Sequence, residues 1–138
     1  MTDMAKGALH GIKVLDLSRV LAGPSCTQVL ADLGAEVIKV ERPHIGDETR
    51  HWAPPKFSDD TSAYYATINR NKESLTVDIT TPAGQTIIKQ LVASSDIVVE
   101  NFKVGGLKKY GLDYDSLKQD NPRLIYASLT GFGQTGPD

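Results

Sequence analysis

Residues 14–42, VLDLSRVLAGPSCTQVLADLGAEVIKVER, read as strand, turn, helix and strand, and no other stretch constrains the chain as tightly. Ile12 to Leu17 is short, apolar and β-branched, and it closes on the polar pair Ser18-Arg19, the pattern of a buried strand. Gly23-Pro24 reads as an N-cap followed by proline at the first helical position, where a missing N–H costs nothing. Cys26, Val29, Leu30 and Leu33 recur at helical spacing and predict the buried stripe of that helix, with Gly34 as its left-handed C′ residue. On that stripe Cys26 reads as a small buried hydrophobe rather than a reactive thiol. Glu36 to Glu41 forms the second strand, ending in Arg42-Pro43. Two strands joined by one helix of this length must run parallel, so the chain belongs to the α/β class. Such folds bind ligands outside the carboxyl ends of the strands, which directs attention to Ser18–Gly23 and Arg42.

The first turn lacks the G-x-G-x-x-G fingerprint, which weakens a dinucleotide reading, because a pyrophosphate at a helix N-terminus needs close backbone approach. The end of the second strand is where these folds read an adenosine ribose. Glu41 should alternate to the other face, leaving Arg42 as reader of a phosphorylated ribose, as found in NADP and coenzyme A; the alternative is a solvated arginine. Residues 43–62 show no sustained periodicity and predict a long loop, a candidate rim of a site. A short helical turn at Ala63–Ile68 and a half-exposed strand through Leu75, Val77 and Ile79 follow. Thr81-Pro82 starts a helix whose buried face is Ile87, Ile88, Leu91 and Val92. Asp96–Glu100 is a further buried strand, Gly111 stops the basic segment Leu107–Tyr110, Asp113 caps a small helix, and Leu124–Leu129 is the last strand. The expected architecture is a Rossmann-like parallel sheet with flanking helices.

With 138 residues, the chain suffices for one compact domain or part of one. A net charge of -2 gives no reason to expect nucleic acid or an anionic membrane as partner. No run approaches a membrane span and Met1–Lys6 lacks a signal-peptide core, which predicts a cytoplasmic protein. One cysteine builds neither an internal disulfide nor a thiolate metal site, and His10, His44 and His51 lack ligand spacing, so no metal is expected. Polar residues gather at the strand ends: Ser18, Arg19, Arg42, Asn101 to Lys103, and Thr130. Lys103 and Lys109 stand where they would meet phosphates as point charges, or else are solvated lysines beside a glycine pair. Asp16 suits a loop-fixing role better than catalysis, and no nucleophile elbow or other complete catalytic constellation is present.

Seven segments in order, Gly11–Ser18, Ala22–Pro24, Leu33–Pro43, Gly46–Arg50, Asn69–Lys72, Val99–Phe102 and Gly131–Pro137, together resemble the amino-terminal part of the family III CoA-transferases. That group includes formyl-CoA transferase, the carnitine and bile-acid CoA-transferases, succinyl-CoA:dicarboxylate transferases and the α-methylacyl-CoA racemases. The resemblance implies that residues 1–138 form part of a Rossmann-like domain binding coenzyme A, in a family whose full chains form interlocked homodimers. It implies that Leu21 and Ala22 line the CoA and that Arg42 holds its adenosine end. By the same resemblance Val77, Asp78, Ile79 and Thr80 flank the adenine, while Asn101, Phe102, Lys103 and Lys109 meet pantetheine and phosphates. Leu21 replaces a glutamine of the formyl-CoA transferases, which argues against a formyl or oxalyl substrate, and Trp52–Pro55 looks more like the dicarboxylate transferases.

The resemblance implies a CoA-transferase that moves CoA from an acyl-CoA to an organic, often dicarboxylic, acid. In the family an aspartate attacks the thioester and forms a mixed anhydride before transfer to the acceptor carboxylate. Asp138 does not match that nucleophile's position, so no catalytic residue is expected in this chain. The expectation is that these residues alone are inactive and prone to self-association. An acyl-CoA racemase and a non-catalytic CoA-binding fragment remain as alternatives.

Overall fold

The computed structural model describes residues 7–57, 59 and 61–136, so the expectations on Met1–Lys6 and on Asp138 lie outside the described residues. Five strands, β1 (Lys13–Asp16), β2 (Glu36–Glu41), β3 (Glu73–Thr76), β4 (Ile97–Glu100) and β5 (Ile125–Ser128), form one sheet in the order β3-β2-β1-β4-β5. Every pairing is parallel, for example Leu15 with Ile38 and with Val98. The order reverses between β1 and β4, and that crevice is where an open sheet of this kind takes its ligand.

Helices cover both faces: α1 (Ala22–Asp32) links β1 to β2 and α3 (Pro82–Ala93) links β3 to β4, with α2 (Ala63–Asn69) and α4 (Tyr114–Leu117) between other elements. Alternate residues of each strand serve the two cores. Leu15 and Val98 pack with Ile88 and Val92 of α3, while Val14, Val37 and Val99 pack with Ala31 of α1. The start of α3 is as expected, with the Thr81 hydroxyl accepting the Gly84 N–H and proline in the first turn. Gly111 ends a single 3₁₀ turn at Lys108–Tyr110 in the left-handed conformation.

Four local expectations are corrected. Helix α1 begins at Ala22 with Leu21 as its uncapped N-cap, and Gly23 lies inside it, at a position that takes glycine because a Cβ would collide with Ser18. Its buried face is Gly23, Pro24, Thr27, Gln28 and Ala31, while Cys26, Val29 and Leu33 are exposed. The helix is turned this way because Asp16, fully buried beneath it, requires donors, and Thr27 Oγ1 supplies one at 2.5 Å. Of the predicted stripe of α3, Ile88 and Val92 are buried but Ile87 is exposed. Strand β3 ends at Thr76 rather than running through Ile79: its partner β2 stops at Glu41, whose carbonyl takes the last ladder bond from the Val77 N–H at 2.9 Å.

Candidate functional site

Three buried acids and three cations fix the carboxyl ends of β1 and β2. Asp16 accepts from the Ser18 N–H at 2.9 Å, from the Ser18 hydroxyl, from Thr27 and from Lys72 Nζ at 3.2 Å. Lys72 also donates to the Pro24 carbonyl at 2.8 Å and to Asn69 Oδ1 at 3.0 Å. Burial pulls the Lys72 ammonium below its ordinary pKa, and Asp16 offsets part of that. Lys39, 1 % exposed, reaches Asp47 at 2.9 Å and the Ser18 carbonyl at 3.0 Å. Asp47 is raised by burial, but the Thr49 N–H, Lys39 and the Thr49 hydroxyl outweigh this and hold it below the usual carboxylate range.

Glu41 anchors the loop from the other side. Its carboxylate accepts Arg50 through Nε and Nη2, both at 2.6 Å, together with Ser74 Oγ at 2.7 Å, Tyr65 OH at 2.9 Å and the Asp47 N–H at 2.9 Å. Burial alone would raise its pKa, yet Arg50, Ser74, Asp47 and Tyr65 lower it to about 2. Gly46 is required here, since its φ is +70° and a Cβ would stand 2.7 Å from both Arg50 Cδ and Glu41 Oε2. The expected loop is therefore a fixed wall: Asp47 caps a 3₁₀ turn at Glu48–His51, and a bridge joins Lys56 to Ser62. His51 spends Nε2 on the Ile45 carbonyl at 2.9 Å.

The turn after β1 is under strain. Val20 sits at φ +69°, a conformation a β-branched residue avoids at a cost of roughly 1–3 kcal/mol, and its N–H is held by Asp47 Oδ2 at 3.2 Å. The Asn101 amide clamps both backbone groups of Arg19, accepting its N–H at 2.8 Å and donating to its carbonyl at 2.7 Å. Strain held from two directions at a strand end marks a site whose geometry matters.

This framework shapes a cleft of about 210 Å³ with a floor that includes Leu17, Val40, Val77 and Ile79. Phe102 and Tyr110 form an aromatic side, and Arg19, Arg42, Asp78 and Thr80 complete the wall. Asp78 folds back on Thr80, accepting its N–H at 2.9 Å and hydroxyl at 2.6 Å, which lowers its pKa. The Arg19 guanidinium lies 4.8 Å above the Phe102 ring, with Nε buried and lacking a hydrogen-bond partner. Arg19 and Arg42 both contact Glu48 Oε1, at 3.2 and 3.3 Å.

Six of the residues singled out from sequence, Arg42, Val77, Asp78, Ile79, Thr80 and Phe102, thus line one cleft. Ala22, Asn101 and Lys103 line a second, open groove with Phe102 and residues 128–133. Leu21 is exposed at the N-cap of α1, next to Ala22. Lys109 is outside both linings, with its ammonium 4.8 Å from the ring of Tyr110, which belongs to the first. Arg19, Tyr110 and Glu48 had no assigned role; only the position of Arg19 in the polar pair closing β1 hinted at one. Among the described residues, no three His, Cys, Asp or Glu side chains converge as metal ligands, and no helix is long and apolar enough to cross a membrane.

The family model for CoA-transferase family III matches residues 9–138. The chain belongs to that family. It is 55% identical over 144 residues to the succinate–glutarate CoA-transferase of Agrobacterium fabrum, covering 99% of this chain and 36% of that protein. It is also 55% identical over 129 residues to the human succinyl-CoA:glutarate CoA-transferase, covering 94% of this chain and 29% of the human one. The crystal structure of a CAIB/BAIF family protein from Brucella suis superposes with a TM-score of 0.91 at 54% identity, over 96% of this chain and 35% of that one. This family III chain therefore spans about a third of the length of such relatives.

Proposed function

We propose that this family III chain supplies the coenzyme A site of an enzyme that transfers CoA from an acyl-CoA, with succinyl-CoA the first to try, to a dicarboxylic acid. The observation that carries the reading is the cleft itself. An apolar, aromatic-sided floor suits an adenine, and Arg42 at the end of β2 stands at its mouth beside a second arginine, suiting a phosphorylated ribose. The orphaned Arg19 Nε adds an unmet donor on the wall. The second groove, from Ala22 to Lys103, takes the pantetheine arm, and Lys103 and Lys109 supply positive charge along the way. Asn101 acts through its clamp on Arg19, because its amide is already committed.

The relatives named for succinate and glutarate favour dicarboxylates over the racemase alternative. The nucleophilic aspartate is assigned outside these residues, and cytoplasmic placement and a homodimer belong to the same reading. Support for the dimer is the outward ridge of α1, where Val29 and Leu33 are 56% and 44% exposed. The test is calorimetric titration with CoA, dephospho-CoA and NADPH, alongside an assay of CoA transfer from succinyl-CoA to a panel of dicarboxylic acids. Tighter binding of CoA than of the other two is expected. Preference for NADPH, or equal affinity for CoA and dephospho-CoA, overturns the assignment of Arg42.

A further inference from the structure

We propose that Glu48 is an internal counter-anion, seated between Arg19 and Arg42 until a ligand phosphate replaces it, and that it thereby limits selectivity for a phosphorylated ribose. The proposal rests on the CoA reading of the cleft.

Arg19 follows β1 and Arg42 follows β2, so the two guanidinium groups approach the cleft mouth from neighbouring strand ends. One carboxylate oxygen, Glu48 Oε1, receives both of them, at 3.2 Å from Arg19 Nη1 and 3.3 Å from Arg42 Nη2. These are long, single-point contacts between side chains that are 33%, 46% and 45% exposed for Arg19, Arg42 and Glu48. Water-exposed pairs of this sort are each worth less than about a factor of ten. The other acids of the same wall are bound differently. Asp47 is enclosed with Lys39 at 2.9 Å, and Glu41 holds Arg50 by two bonds of 2.6 Å. Asp78, the remaining acid of the wall, is turned onto the Thr80 N–H and hydroxyl, so Glu48, behind the two arginines rather than in the lining, is the acid that both of them hold loosely.

A phosphate is the better occupant. It offers three acceptor oxygens and pairs with arginine by two parallel bonds, whereas one carboxylate oxygen leaves most of the guanidinium donors unmet. Arg19 Nε is already buried without an acceptor. The Phe102 ring under its guanidinium and the Asn101 clamp on its backbone hold Arg19 in place before the ligand arrives. Displacing Glu48 costs affinity only for a ligand whose phosphate enters this position. Discrimination against a ligand lacking that phosphate is therefore blunted by Glu48 and sharpened by its removal.

The experiment is titration of the full chain and of Glu48→Gln with CoA and with dephospho-CoA at fixed low salt, after thermal melts confirm that both fold. CoA should bind Glu48→Gln roughly threefold to tenfold more tightly than it binds the wild type, from two released pairs, with dephospho-CoA changing less than about twofold. Glu48→Asp, which withdraws the carboxylate by one methylene, should fall between. Wild-type preference for CoA without a gain in Glu48→Gln overturns this proposal alone. So does an equal gain for both ligands, which indicates only a more positive surface. Weaker CoA binding by Glu48→Gln also overturns it, since Glu48 is then needed to position Arg42. A wild type that binds both ligands alike removes the CoA reading and this proposal together.

Discussion

Replacing Glu41 by glutamine tests the idea that a buried carboxylate fixes the wall of the cleft. Glutamine keeps one acceptor oxygen, and its NH₂ group must face either the side holding Arg50 Nη2, Tyr65 and Ser74 or the side holding Arg50 Nε and the Asp47 N–H. Arg50 loses a charge-assisted bond either way. Breaking one partner of a buried pair costs about 3–5 kcal/mol; Arg50 is 38% exposed and regains some hydration, so the lower end, about 3 kcal/mol, applies. With a urea slope of roughly 1–2 kcal/mol/M, the unfolding midpoint should fall by about 2 M. Far-UV circular dichroism reads the sheet and helices, and fluorescence of Trp52, whose ring is tilted against Tyr64 at 4.9 Å, reads the wall itself. The difference should depend on pH in a defined direction. Glu41 is depressed from 4.5 to about 2, so its stabilisation is complete above 4.5 and is lost as pH falls through 2. Below that point wild type and variant should unfold alike. A midpoint shift under about 0.3 M, or a full difference persisting below pH 2, refutes the assignment of Glu41 as a charged anchor.

Two further substitutions probe the same framework. Lys39→Met should destabilise the protein by about 3–5 kcal/mol, measured by chemical unfolding, because Asp47 is left buried without its cation and the Ser18 carbonyl loses a donor. Asn101→Ala should cost about 1–3 kcal/mol by the same measurement, since two backbone groups of Arg19 lose their partners, and should weaken CoA binding by releasing the turn that carries Arg19.

Local sequence chemistry was enough for the β1-α1-β2 unit, for the Thr81-Pro82 helix start and for Gly111 as a stop, because each depends on residues a few positions apart. The orientation of α1 was not legible that way. Of its apolar period only Leu30 packs on the core, and Cys26, Val29 and Leu33 point outward because Asp16 needs Thr27, a requirement that no count of hydrophobic residues carries. Lys39 lies in the second strand and Lys72 in the turn before the third, and nothing in either place marks a buried cation. Their burial is decided by Asp47 across the loop and by Asp16, 56 residues away. The cleft was half legible for the same reason. Arg42 was marked by its place at the end of β2, whereas the roles of Arg19 and Glu48 arise from contacts with Phe102 and with each other that only the folded chain creates. Val20 in a left-handed conformation had no sequence signal, since valine is among the residues least suited to it.

A crystal structure of the protein with bound CoA measures the central claim most directly. The expected result is adenine against Val77–Thr80 and Phe102, the ribose phosphate within hydrogen-bond distance of Arg42, and Glu48 moved off both arginines. Adenine bound away from this cleft, with Arg42 still paired to Glu48, contradicts it.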